Sequence, residues 1–208
     1  MKLQIAGAGL ALAMVSAGCA MMEPRAEHYV RAPLGSTFTY AYRNSGSYGS
    51  ASGQMTTRAT ERMWEGKQIA ASESPRGVTL MNSEGAWIAQ LAPDGKLARS
   101  FNPPIGFDFP LVVGKTTTKS YQVTAYPANK TTSFDTTWKV EAYEDVTVQA
   151  GTFKVFKITY SDTVGQENTY WFNPEIGSWP KAIFAHTAKF PAGPGESEVE
   201  LVSYTIAK

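Results

Sequence analysis

The chain has 208 residues, 43% of them hydrophobic and 12% aromatic, with 19 basic side chains against 18 acidic ones; that length suffices for one or two domains with a sizeable core. A near-neutral charge without any basic run excludes the electrostatic footprint of a nucleic-acid binder. The single cysteine, Cys19, excludes an intramolecular disulfide, so packing alone must hold the fold even in an oxidising compartment.

Residues 1–18 carry the three parts of a secretion signal: a positive start at Lys2, an apolar stretch from Leu3 to Ala17, and small residues before the cut. The stretch falls short of the roughly 20 residues that cross a bilayer as a helix, and no later segment is long or apolar enough, so no transmembrane helix is expected in the mature protein. The run Leu10-Ala11-Leu12-Ala13-Met14-Val15-Ser16-Ala17-Gly18-Cys19 resembles the lipobox of bacterial lipoproteins. The resemblance implies a diacylglycerol on the Cys19 thiol and a further acyl chain on its freed amine. Each buried methylene contributes about 0.8 kcal/mol, and two acyl chains suffice for stable anchoring. Ala20 stands where Asp would retain such a protein in the inner membrane, which implies the outer membrane, periplasmic face.

Residues 19–33 follow as a lipidated tether, with Pro24 and Pro33 and no clear period. Residues 34–208 read as a single antiparallel β domain, rich in Thr, Tyr, Phe, Val and Trp, with Gly or Pro recurring as in short strands joined by turns. No stretch after the signal has convincing helical periodicity. In chain order, alternation predicts strands over Phe38–Tyr42, Trp87–Leu91 and Phe134–Glu141, each with every second side chain on one face. Lys154–Tyr160 and Val199–Ile206 read likewise, but with apolar residues on both faces, as in central strands. Turns are expected over Asn44–Gly53, at Pro93-Asp94-Gly95, at Ala150-Gly151 and over Pro191–Gly195. Between Phe101 and Pro110, three prolines exclude a central strand. The chain also echoes itself: Leu34-Gly35-Ser36-Thr37 with Tyr42 aligns with Val113-Gly114-Lys115-Thr116 with Tyr121. This marks 34–100 and 111–206 as halves of a duplicated β-meander forming one sheet.

Two stretches carry a family resemblance. Pro103 to Thr116, and Glu144 to Ile158 followed by Tyr170 to Gly177, look like an uncharacterised class of proteobacterial envelope lipoproteins. The shared pattern is a "fPL.vGk" opening, a "V.V.AGtF" hairpin and a "yWy.PeiG" closing strand. The resemblance implies an all-β fold built on a curved antiparallel sheet, an open half-barrel or a sandwich-like arrangement, similar to the half-barrels of the lipoprotein-localisation factors. It implies architecture rather than a reaction.

The evidence for an enzyme is thin. His28 sits in the tether and His186 stands alone, so there is no metal spacing, and no nucleophile elbow or phosphate-cradling loop occurs. No catalytic residue, metal or cofactor is expected. Glu141, Glu144 and Asp145 form an acidic cluster that glycoside hydrolysis could use, but a solvated strand end is the better account. Aromatic side chains at strand positions are mostly core, yet a curved sheet without a covering helix must put its concave face against a ligand, a partner or itself. Trp64, Trp87, Trp138, Tyr170 and Trp171 are the candidate lining of such a face. The favoured reading is a lipid-anchored protein binding an apolar or amphipathic ligand such as a lipid. The alternative is an accessory subunit docking an envelope protein assembly.

Overall fold

The computed structural model describes residues 23–208; residues 1–18, read above as a signal peptide, and Cys19 lie outside the described residues. Alternating strands separated by Gly, Pro and Asn turns give fourteen β-strands among these residues. They are β1 (Arg25–Ala26), β2 (Thr37–Gly46), β3 (Ser52–Trp64), β4 (Lys67–Ser74), β5 (Gly77–Met81), β6 (Trp87–Leu91) and β7 (Leu97–Ile105), followed by β8 (Leu111–Val112), β9 (Thr116–Ala125), β10 (Lys130–Val148), β11 (Gly151–Asp162), β12 (Gln166–Asn173), β13 (Ser178–His186) and β14 (Gly195–Thr205). Each of the five strands read from the sequence is present, mostly longer than its alternating segment.

Twelve strands form one antiparallel sheet in which each pairs with its neighbours in sequence, β2 to β7 and then β9 to β14. The curved antiparallel sheet closes rather than staying open, because β14 pairs with β2 from Gly195 opposite Gly46 to Thr205 opposite Thr37. Closure leaves the sheet no unpaired edge to protect. Strands β1 and β8 make a separate two-stranded ribbon. Each half of the chain supplies six strands to the barrel. The turns opening the halves are built alike: Gly35 and Gly114 have φ of 89° and 86°, and their N–H groups donate to Ala59 and Val140 carbonyls, both at 2.8 Å.

One local reading needs refinement. Strand β7 runs through Asn102-Pro103-Pro104 to Ile105 between β6 and β9, where the prolines are expected to exclude a central strand. Pairing with β9 ends at Asn102 opposite Gln122, and pairing with β6 skips from Ser100 to Ile105, so neither proline is asked for an N–H. The register of β10 against β11 slips between Val140 and Ala142, leaving Glu141 as an extra residue on β10. On β11 the adjacent Val155 and Phe156 are both buried, Val155 in the cluster of Phe38 and Tyr40 and Phe156 in that of Trp138 and Tyr170.

Barrel width grows with strand number, and eight strands already enclose only enough room for side chains or one small ligand. A twelve-stranded barrel must therefore be filled by something besides its own inward rings. At one end Phe38, Tyr40, Val155, Val199 and Leu201 pack with Ala32 and Ile176 into a closed cluster. Further along, the segment between β7 and β8 supplies Phe107 and Phe109, which pack against the cluster holding Trp138, Tyr170 and Phe172.

Residues 23–33, the described part of the segment read as a tether, lie against the barrel as a strap. Arg25 and Ala26 pair with Val112 and Leu111, and Tyr29 packs 6.3 Å from Phe109 and 6.4 Å from Phe172. Arg31 meets Glu61 at 3.1 Å and donates to the Thr60 carbonyl at 3.2 Å.

Candidate functional site

Filling is incomplete. Between the closed cluster and the far loops the barrel holds a hollow of about 610 Å³, within the ~300–1,000 Å³ range of small-molecule sites. Alternation sets the β12 wall, where Phe172, Tyr170, Asn168 and Gln166 line the hollow; on β13 Trp179 and His186 both line it across a register shift in the β12–β13 pairing. Phe134 and Trp138 of β10, Tyr160 of β11 and Phe101 of β7 complete an aromatic lining. Phe107 stands edge-on to Trp138, Tyr170 and Phe172, with centroids 5.6, 5.4 and 5.2 Å away. These are the tilted geometries that aromatic quadrupoles favour.

The strap and the β7–β8 segment form one end of the hollow. Tyr29, Phe107 and Phe109 line it there and also border a second cavity of about 470 Å³, whose wall includes Glu27, His28 and Lys119. Close approach of backbone makes this partition. Gly177 has φ 61°, and a Cβ there would stand 2.1 Å from the Val30 carbonyl oxygen. Asp108 fastens the inserted segment, with its carboxylate 2.7 Å from Lys115 Nζ and also paired with Lys119. Partial burial pushes the Asp108 carboxyl up, but the two lysines outweigh it and bring it down to about 2.

Loops gather at the other end. His186 lies between two rings, 4.2 Å from Tyr48 and 3.5 Å from Phe190, with Nδ1 2.8 Å from Ser47 Oγ. Burial lowers the His186 pKa and Asp162 opposes the effect, so the ring is neutral at pH 7. Burial raises the Tyr40 and Tyr170 phenols, against weaker opposing hydrogen bonds to Ser178 and Asn168. The Tyr160 phenol is raised by burial and by donating to Asp162 at 2.7 Å. Trp138 Nε1 is buried in the wall with no acceptor. Such an orphan donor costs about 1–3 kcal/mol, which a core shaped for stability alone would avoid.

The structure places Trp87, Trp138 and Tyr170 in the lining of the hollow and the other two candidates elsewhere. Trp64 packs with Ala71, Leu80 and Ala89. Trp171 alternates out of the hollow: its indole donates to Glu144 at 2.9 Å, and Lys157 and Lys181 approach its ring at 5.5 and 5.8 Å. The acidic cluster does not form a facing pair. Glu141 is held by Lys139 at 2.7 Å and Asp145 by Lys154 at 2.9 Å, while Glu144 takes the Trp171 indole. Among the described residues no group of His, Cys, Asp and Glu is arranged to hold a metal. Sequence reasoning missed Tyr29, Phe107 and Phe109. The available signal was the spacing Phe107-Asp108-Phe109 within the proline-rich join, two rings pointing one way.

No protein-family model matches the chain, and no curated protein matches it. Among solved structures it is similar to a Bacteroides fragilis protein described as exported and as having a YmcC-like fold, with 14% identity, a TM-score of 0.48, and coverage of 86% of this chain and 100% of that one. A lipoprotein of Parabacteroides distasonis matches at 10% identity and a TM-score of 0.42, over 86% of this chain and 100% of that one. The hypothetical lipoprotein YmcC of Escherichia coli matches at 12% and 0.39, over 84% and 89%.

Proposed function

We propose that this chain is a lipid-anchored protein of the bacterial outer membrane, facing the periplasm, whose barrel holds an apolar or amphipathic ligand such as a lipid. The observation that carries the reading is the hollow of about 610 Å³ walled by aromatic rings. Water in so apolar a space is poorly hydrogen-bonded, and an acyl chain that replaces it gains about 25 cal/mol for each Å² of apolar surface buried. Cys19 supplies the anchor, and the strap beginning at Arg25 sets the barrel only a few residues from it. The chain acts by binding.

Native mass spectrometry of the protein extracted from its own membrane tests this directly. A co-purifying mass equal to one lipid is the expected result. A ligand-free barrel accompanied by a stoichiometric polypeptide would replace the reading with the docking role.

A further inference from the structure

Among the described residues only two formally charged side chains line the hollow, Arg99 and Glu84, and the strands hold them apart. Glu84 lies in the turn before β6 and also borders the second cavity beside the strap. Arg99 sits near the start of β7, six residues before Ile105, which lines the hollow where Trp87 pairs with it. Arg99 pairs with Gln90 and Ile105 with Trp87, three β6 residues apart, so the two positions are separated by about 10 Å at ~3.3 Å per residue. Phe101, two residues from Arg99 and so on the same face of β7, is also in the lining.

Arg99 has no protein partner among the described residues. Arg25, Arg31, Arg43 and Arg62 each pair with a carboxylate, and Arg76 lies 4.6 Å from the Tyr42 ring centroid. Among the described residues the exposed Arg58 and Arg99 have no acidic group within 4.0 Å and no side-chain hydrogen bond, and of these two only Arg99 lines the hollow. A guanidinium is always charged and presents a planar fork matched to a carboxylate. Set at the rim of an apolar cavity, it offers such a group a contact that the rest of the wall cannot.

Resting on the binding reading above, we infer that the ligand is an amphiphile with a carboxylate head, its head group on Arg99 and its apolar part against the aromatic lining that includes Phe101 and Phe107. One cation balances one negative charge; a phosphate dianion would call for more than the single Arg found here.

The test uses the full-length protein in nanodiscs of neutral phosphatidylcholine, with a brominated undecanoate and the matching brominated undecanol as quenchers of tryptophan fluorescence. Trp87, Trp138 and Trp179 line the hollow and report occupancy, while partition into the lipid is the same for wild type and variants and cancels. Wild type binds the acid about tenfold tighter than the alcohol, the order expected of one charge-assisted pair. Arg99→Gln removes that preference and leaves alcohol binding unchanged; Arg99→Lys keeps part of it. If wild type binds both probes equally, or if Arg99→Gln still prefers the acid, the head-group assignment is overturned while the hollow remains a binding site. If neither probe quenches, the binding reading falls with it.

Discussion

Replacing Phe107 by Ala takes away the ring on which three walls of the hollow converge. It meets Trp138, Tyr170 and Phe172 at 5.6, 5.4 and 5.2 Å, and it comes from the segment inserted between β7 and β8. Removing a fully buried Phe costs about 3–5 kcal/mol. Part of this ring already faces empty space and has no packing partner to lose, so the lower end, about 3 kcal/mol, applies. Three edge-on contacts at about 0.5–1.5 kcal/mol each give the same order independently. In a domain of this size that loss lowers Tm by about 6–12 °C, readable by circular dichroism on the full-length protein. The hollow meanwhile enlarges, so the brominated undecanoate still quenches tryptophan in the variant. A fall in Tm of under about 2 °C, less than the shift expected for 1 kcal/mol, would show that the inserted segment does not fill the barrel, and the account of the interior would be wrong.

Gly177→Ala forces a side chain into φ 61° and against the Val30 carbonyl, a strain of about 1–3 kcal/mol that displaces the strap; trypsin then cleaves after Arg31, and unchanged protection would refute the docking of residues 23–33. The raised phenols of Tyr40, Tyr160 and Tyr170 mean that above pH ~10 the unfolded chain sheds protons the fold retains, so stability falls as pH rises. Phenolate absorbance should show some tyrosines ionising only as the β signal collapses; complete ionisation near pH 10 with the fold intact would contradict their burial. The lowered Asp108 carboxyl acts at the other extreme: its contribution is present above the unfolded value near pH 3.9 and is lost as pH falls toward about 2. Asp108→Asn should flatten that acid limb, and an unchanged acid profile would remove Asp108 from the account. Cys19→Ser moves the protein from the membrane fraction to the soluble one; unchanged fractionation would count against lipidation.

Much of the fold was legible in the chain because strand chemistry is local. Phe134-Asp135-Thr136-Thr137-Trp138 alternates in sequence and alternates in burial on β10, and turn residues such as Pro93-Asp94-Gly95 lie between strands as their backbone preferences require. The candidate site was legible only in part. Trp138 and Tyr170 face the hollow while Trp171, adjacent to Tyr170, faces away. Composition treats these rings as equals, and only the pleat separates them.

The sequence by itself determined that the described chain would be antiparallel strands joined by glycine and proline turns, since side-chain branching and allowed backbone angles act over a few residues. Tertiary structure alone decided that β14 returns to β2, which face of each strand became the inside, and how wide the enclosed space is. Those outcomes depend on pairing between residues more than 150 positions apart, such as Glu198 with Arg43, and on bulges that shift the alternation. It also decided that Phe107, from a segment with the composition of a loop, and Tyr29, from one with that of a tether, would wall the hollow, because a barrel too wide for its own side chains is filled by whatever the chain can fold into it.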